Sequence, residues 1–297
     1  MAESINFLDP NVLSGLDNLE LRARVVVEGF LSGLHKSPNR GFSVEFNDYR
    51  HYQRGDDLRH VDWKLYARSD KFYIKQYEDE TNVRCVILLD TSASMAYSSG
   101  GMSKLSYGVT LASALSYFIM KQRDAVGLIT FDDQVREYIP PKTRQPHLLR
   151  ILRTLSQVES GKGTDTVKPL ADLAASLHKK SIVILITDML DDEERVINTL
   201  QNLRGMGNDI ITFQVMDDAE LNFPFNEASE FIDMEDDESY ITSPAAIRQA
   251  YLEHLNEFLA YCRKKCQSSG VDYCLLNTVE PLDEALSSYM SKRAKSF

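Results

Sequence analysis

The 297-residue sequence lacks the features that mark membrane and secreted proteins. No apolar run approaches the roughly 18 residues of a membrane-spanning helix. The N-terminal segment MAESINFLDP has neither the basic region nor the apolar region of a secretory signal. We therefore expect a cytoplasmic protein without a membrane span.

Cysteine is scarce, and no CxxC pair occurs. Structural zinc sites commonly use such pairs, so we do not expect a zinc site. The cysteines lie in apolar or helical patterns, which favours reduced thiols in the core over disulfide bonds. They are Cys85, Cys262, Cys266 and Cys274.

An excess of basic residues is also absent. The chain has 33 Lys and Arg against 44 Asp and Glu, for a net charge of −11, which argues against a nucleic-acid-binding protein. Residues 217–244 hold ten acidic residues and no basic one. We interpret this segment as a solvated connection, with a docking surface for a basic partner as the alternative.

Continuous apolar, β-branched runs alternate with helical patterns from residue 83 onward. Runs of this kind suit strands that are covered on both faces by helices. The predicted strands are residues 83–90, 125–131, 181–187, 210–215 and 271–276. The predicted helices are residues 104–121, 169–178, 192–206, 245–268 and 283–295.

This alternation predicts an α/β fold class: a doubly wound, mostly parallel sheet over residues 83–297. A turn at Asp132-Asp133 followed by VREYI predicts one antiparallel edge strand. Residues 1–82 are expected to form a helix, around 17–34, and a polar and aromatic segment packed on the main domain. Nine aromatic residues in 35–82 are too many for a disordered linker.

Small oxygen-bearing side chains follow the predicted strands. Asp90, Ser92 and Ser94 come after the first strand, Thr164 lies in a Gly-Thr loop, and Asp188 follows the run SIVILIT. Ligands of doubly wound sheets bind at the carboxyl ends of the strands. Hydroxyl and carboxylate oxygens suit Mg²⁺ or another hard divalent cation. With few carboxylates, a bound ion keeps positive charge and can accept an acidic group from a partner.

The DxSxS motif, the later threonine and the last aspartate resemble the metal-ion-dependent adhesion site of von Willebrand factor A domains. The resemblance implies that Ser92 and Ser94 coordinate directly and Thr164 directly or through water, with Asp90 and Asp188 acting largely through water. One departure is Met189, which follows Asp188 where glycine is common. For the DxSxS residues, an N-cap and turn that open the next helix are the alternative.

Two further segments, SPNRGFSVEFNDYRHYQRGDDLRHVDWKLYARSDKFYIKQYEDETN and GVDYCLLNTVEPLDEALSSYMSKR, resemble a bacterial family. It is called domain of unknown function fifty-eight, and the resemblance spans roughly residues 30–293. It implies a partner or adaptor of a MoxR-type AAA+ ATPase in chaperone-like complex maturation.

The functional hypothesis is a non-enzymatic interaction module that uses Mg²⁺ to receive an acidic residue of a protein partner. The alternative is a metal-dependent hydrolase with its chemistry on residues 54–64. For that stretch, Gly55–Lys64 above all, we favour a structural layer of salt bridges and hydrogen bonds, and we assign no catalytic residue. The residues that suggest the catalytic alternative are Asp56, Asp57, Arg59, His60 and Asp62.

Overall fold

The computed structural model divides the chain into two compact units, residues 33–82 and residues 1–32 with 83–297. The residues that it describes are 10, 13, 18–36, 49–51, 73–75, 83–161, 168–170, 180–191, 193–226, 229–232 and 239–295. In the smaller unit, β1 (Tyr49–His51) pairs antiparallel with β2 (Tyr73–Lys75). The domain division at residue 82 stays a prediction.

The larger unit contains a six-stranded sheet and a separate hairpin. The strands of the sheet are β3 (Arg84–Asp90), β4 (Ala125–Phe131), β5 (Val135–Lys142), β6 (Ile182–Thr187), β7 (Asp209–Met216) and β10 (Asp272–Asn277), and the hairpin is formed by β8 (Ser229–Ile232) and β9 (Ser239–Thr242). The sheet has the order β10-β7-β6-β3-β4-β5, and its neighbours are parallel except β4 and β5, which pair antiparallel. The predicted α/β fold class and its antiparallel edge are therefore confirmed.

Seven helices can be bounded in the described part of the chain, and four of them fall within one residue of their predicted limits. They are α1 (Leu19–Lys36), α2 (Lys104–Lys121), α3 (Gln145–Leu155), α4 (Glu193–Gly205), α5 (Asp218–Asn222), α6 (Pro244–Ser268) and α7 (Asp283–Lys295). Of the predicted helix at 169–178, only 169–170 are described, and they are helical. The sequence interpretation omitted α3, and it missed α5, β8 and β9 inside the acidic segment.

Both faces of the central strands are buried beneath helices. Val86 and Leu88 of β3 face a cluster that α4 and α6 complete with Leu200 and Cys262. On the opposite face lies α2, which is buried along nearly its whole length. There the Phe118 ring meets the rings of Phe30 and Tyr289 edge to face.

The sheet register determines which polar residues meet at its carboxyl edge. Strands β3 and β6 are parallel neighbours, with Leu89 opposite Ile186. Parallel strands end at the same edge of a sheet, so the residues that follow these two partners come together.

Candidate functional site

Asp90 lies at the bottom of the candidate site as the last residue of β3, and it is fully buried. Its Oδ1 accepts a hydrogen bond of 2.9 Å from the backbone N–H of Ser92. Its Oδ2 accepts one of 2.7 Å from the hydroxyl of Thr187, the last residue of β6. Sequence reasoning missed Thr187, whose contact with Asp90 follows from the pairing of β3 with β6.

Two serine hydroxyls lie in the loop after Asp90. The Oγ atoms of Ser92 and Ser94 are 3.1 Å apart, with Ser92 buried and Ser94 half-buried at the start of a 3₁₀ turn. Thr91 ties this loop to β4, because its N–H and its hydroxyl both donate to the carbonyl of Phe131, at 2.7 and 2.8 Å. The predicted site residue Thr164 lies outside the described residues.

Asp188 follows β6 and is also fully buried. Its Oδ1 accepts a 3.1 Å hydrogen bond from the N–H of Leu190, and its backbone carbonyl accepts one of 2.8 Å from Nε2 of Gln214. Met189 has a left-handed backbone, with φ 58°, and is fully buried. Left-handed backbone favours glycine, which explains why glycine is common at this position; here a buried side chain holds the same turn.

Lys104, the first residue of α2, joins the site although sequence reasoning did not single it out. Its Nζ lies 2.9 Å from Oδ2 of Asp188 and 2.7 Å from Oε1 of Glu220 in α5. The Lys104 side chain is fully buried. The sequence offers one signal, a lysine that opens an otherwise largely apolar helix.

The electrostatics of the site are those of carboxylates held away from water. Burial, and after it the nearby charge of Asp188, together raise the pKa of Asp90 to about 7. Burial alone would lower the pKa of the Lys104 ammonium, but the carboxylates of Asp188 and Glu220 raise it above its ordinary value. A cation beside Asp90 would favour its charged form.

The donor set fits a hard divalent cation by its chemistry. Two carboxylates and two hydroxyls meet at one sheet edge, and each carboxylate oxygen has capacity for more than one contact. Within the described ranges, no three His, Cys, Asp or Glu side chains are grouped as metal ligands. The predicted site has only two such side chains, so its metal-binding role stays a prediction.

The other sequence candidates lie elsewhere. Asp132 and Asp133 lie in the connection between β4 and β5, where both pair with Arg136, in keeping with a role in the turn. The stretch Gly55–Lys64, which carries the hydrolase alternative, lies outside the described residues. All four cysteines are buried, and none of them forms a disulfide bond.

Residues 48–258 match the family described as "Protein of unknown function DUF58". The chain belongs to the DUF58 family. This confirms the family that the sequence segments resemble. The uncharacterized proteins Rv1480 of Mycobacterium tuberculosis and Mb1516 of Mycobacterium bovis are each 24% identical to it over 221 residues, covering 73% of this chain and 68% of theirs.

Solved structures with a similar fold include an aerotolerance-related membrane protein from Bacteroides fragilis. It is 17% identical, with a TM-score of 0.52 over 72% of this chain and 99% of that one. BatB from Bacteroides thetaiotaomicron is 17% identical, with a TM-score of 0.49 over the same shares of the two chains. The VWA domain of SpRpn10 is 10% identical, with a TM-score of 0.39 over 69% of this chain and 93% of that one. At such identities the likeness concerns the fold. No helix of the described ranges is long and apolar enough to cross a membrane.

Proposed function

We propose that this DUF58 protein is a divalent-cation-dependent protein-interaction module, which uses Mg²⁺ to receive an acidic residue of a partner. The observation that carries the proposal is the meeting of Asp90, Ser92, Ser94 and Asp188 at the carboxyl edge of the sheet. The charge of the buried Asp188 raises the pKa of the buried Asp90, and a cation beside them would favour the charged form of Asp90.

The residues that would hold the ion are Asp90, Ser92, Ser94, Asp188 and, from the sequence motif, Thr164. When bound, Mg²⁺ would supply a Lewis-acidic position for a carboxylate oxygen of the partner. Ser92 and Ser94 contribute neutral oxygens, and Lys104 already neutralises part of the charge of Asp188. Such a set leaves the bound ion electropositive.

A MoxR-type AAA+ ATPase, or its client, is the partner that we propose, in chaperone-like complex maturation in the cytoplasm. The support is the family resemblance of the sequence, together with membership of the DUF58 family. No observation on the described residues favours the hydrolase alternative.

Isothermal titration with Mg²⁺ tests the metal site directly. We expect wild-type protein to bind the ion and Ser92→Ala to lose about tenfold or more in affinity. The matched control is Ser116→Ala, which removes an equally buried hydroxyl that donates to the carbonyl of Ala112 inside α2. Wild-type protein that takes up no Mg²⁺ would contradict the metal site.

Binding to a purified MoxR-type ATPase tests the partner. We expect a complex in Mg²⁺ that weakens in EDTA and with Asp90→Ala, while Ser116→Ala behaves as wild type. Equal affinity in all of these conditions would rule out a cation-bridged contact.

A further inference from the structure

The buried lysine beside the candidate site is the feature that the proposed function does not explain. Lys104 occupies the first position of an 18-residue helix, with Ser103 as its N-cap. The helix dipole makes this end positive, so a cation there is disfavoured. A long charged side chain with no exposure also carries a large desolvation cost. Both costs must be offset by the groups around the ammonium.

Two carboxylates on different elements surround that ammonium. Asp188, directly after β6, contributes Oδ2 at 2.9 Å, and Glu220 of α5 contributes Oε1 at 2.7 Å. The Nζ atom also lies 5.9 Å from the centre of the Tyr97 ring. Lys104 therefore touches one candidate metal ligand directly, and through Glu220 it connects that ligand to a helix that holds none of the candidate ligands.

Glu220 is itself held in place. Its Oε2 accepts a 2.8 Å hydrogen bond from the N–H of Asp217, whose side chain in turn caps α5 through the N–H of Ala219 at 2.8 Å. Burial raises the pKa of Glu220, and the neighbouring Lys104 opposes that rise. The Glu220 carboxylate is thus fixed by a backbone N–H at the start of α5.

We propose that Lys104 is a positioning residue of the cation site and sets its metal affinity. The ammonium orients the Asp188 carboxylate and takes part of its charge, while Glu220 draws the ammonium away from the site. Asp188 and Glu220 compete for the one ammonium, and the outcome of that competition sets the affinity of the site for the metal. This inference rests on the proposed function, since it assumes that Asp188 serves a cation.

This competition predicts opposite effects for the two partners. Without the ammonium, Asp188 presents its full charge to the metal, so Mg²⁺ binds more tightly. Without the Glu220 charge, the ammonium is held by Asp188 alone and competes more strongly with the metal. A merely structural role for the cluster predicts weaker Mg²⁺ binding on both changes, because both would loosen Asp188.

The experiment is Mg²⁺ titration by calorimetry on the wild-type chain, Lys104→Met and Glu220→Gln. We expect Mg²⁺ affinity to rise about tenfold in Lys104→Met and to fall about threefold in Glu220→Gln. Glutamine keeps a side-chain oxygen for the N–H of Asp217, so α5 keeps its cap. If Lys104→Met does not fold, Lys104→Gln takes its place, because glutamine removes the charge but keeps hydrogen-bond donors for the two carboxylates, and the same rise in Mg²⁺ affinity is expected.

Matched controls remove the same charges at exposed positions outside the cluster. Lys121→Met changes an exposed lysine at the other end of α2, and Glu257→Gln changes an exposed glutamate of α6. Both are expected to bind Mg²⁺ within twofold of wild type, since exposed charges are screened. If the Mg²⁺ affinity of a control changed as much as that of its matched variant, the effect would come from net charge, and the inference would be overturned.

The outcomes separate the two proposals. Normal Mg²⁺ binding by wild type with unchanged or uniformly weaker binding in both variants overturns the role of Lys104 alone. Absence of Mg²⁺ binding by wild type overturns the proposed function and this inference with it.

Discussion

Thr187 and Thr212 are buried threonines on adjacent strands, but their hydroxyls have different surroundings. The Thr187 hydroxyl donates to Asp90 at 2.7 Å and accepts from the N–H of Met189 at 3.0 Å. The Thr212 hydroxyl has no hydrogen-bond partner among the described residues. A buried polar group contributes to stability when it is paired and costs free energy when it is not.

Replacing each threonine with valine, which has nearly the same shape, should therefore give different results. We expect Thr187→Val to lower the free energy of unfolding by about 1–3 kcal/mol, because buried partners lose their hydrogen bonds. Thr212→Val should be neutral or stabilising. Urea unfolding measures both, and equal losses would show that the Asp90 contact contributes nothing.

Individual site residues were predictable to different degrees. Asp90, Ser92, Ser94 and Asp188 could be found because each follows an apolar run that is evidently a strand. Their other partners come from distant parts of the chain: Lys104 is 84 positions from Asp188 and 116 from Glu220. No local pattern encodes such a contact, which requires the strand order and the position of α5.

A glycine allows strands β4 and β5 to lie close together at the edge of the sheet. A Cβ on Gly127 of β4 would lie 2.7 Å from the carbonyl oxygen of Ile139 and 2.8 Å from the backbone nitrogen of Pro141. Both atoms belong to the backbone of β5, and the register of the pair shifts beside this glycine. Only glycine lets the strands come this close.

Gly127→Ala should therefore push β5 away from β4. We expect the free energy of unfolding to fall by about 1–3 kcal/mol, as for overpacking. Gly205→Ala is the control, because a Cβ there meets nothing within 4 Å at the end of α4, and a gain of up to about 1 kcal/mol is expected. Thermal unfolding compares the two, and an unaffected Gly127→Ala would show that β5 is free to shift.

Long periodic elements were predictable, whereas short ones in polar surroundings were not. Helix α2 matches its predicted limits, 104–121, because many apolar residues define it. Helix α3 also carries its apolar spacing in the sequence, at Leu148, Ile151, Leu152 and Leu155, but it follows two prolines and was passed over. Strands β8 and β9 have four residues each, too few for alternation to stand out within an acidic segment.

The larger unit brings together parts of the chain that residues 33–82 separate. Phe30 of α1 packs on Phe118 of α2, and Tyr289 of α7 packs on the same ring, so α1 and α7 share one core face. The alternation of apolar runs with helical patterns predicted an α/β protein, but this packing of α1 and α7 on α2 depends on tertiary structure. We expect such a unit to unfold cooperatively.

The four cysteines make that expectation measurable, because they lie on different elements of the same unit. Cys85 is on the central strand β3, Cys262 and Cys266 are on α6, and Cys274 is on the edge strand β10. Burial raises the pKa of Cys262 to about 12 and that of Cys266 to about 11, so these thiols are shielded and protonated at neutral pH.

Labelling with a thiol reagent at increasing urea concentrations should therefore show a single unfolding transition. We expect no reaction in the native protein and reaction of all four cysteines over one transition, which should coincide with the loss of helical circular dichroism. Mass mapping of the labelled peptides identifies each site. Labelling of Cys274 well before Cys85 would mean that the β10 edge opens separately, and that the sheet and its terminal helices form more than one cooperative unit.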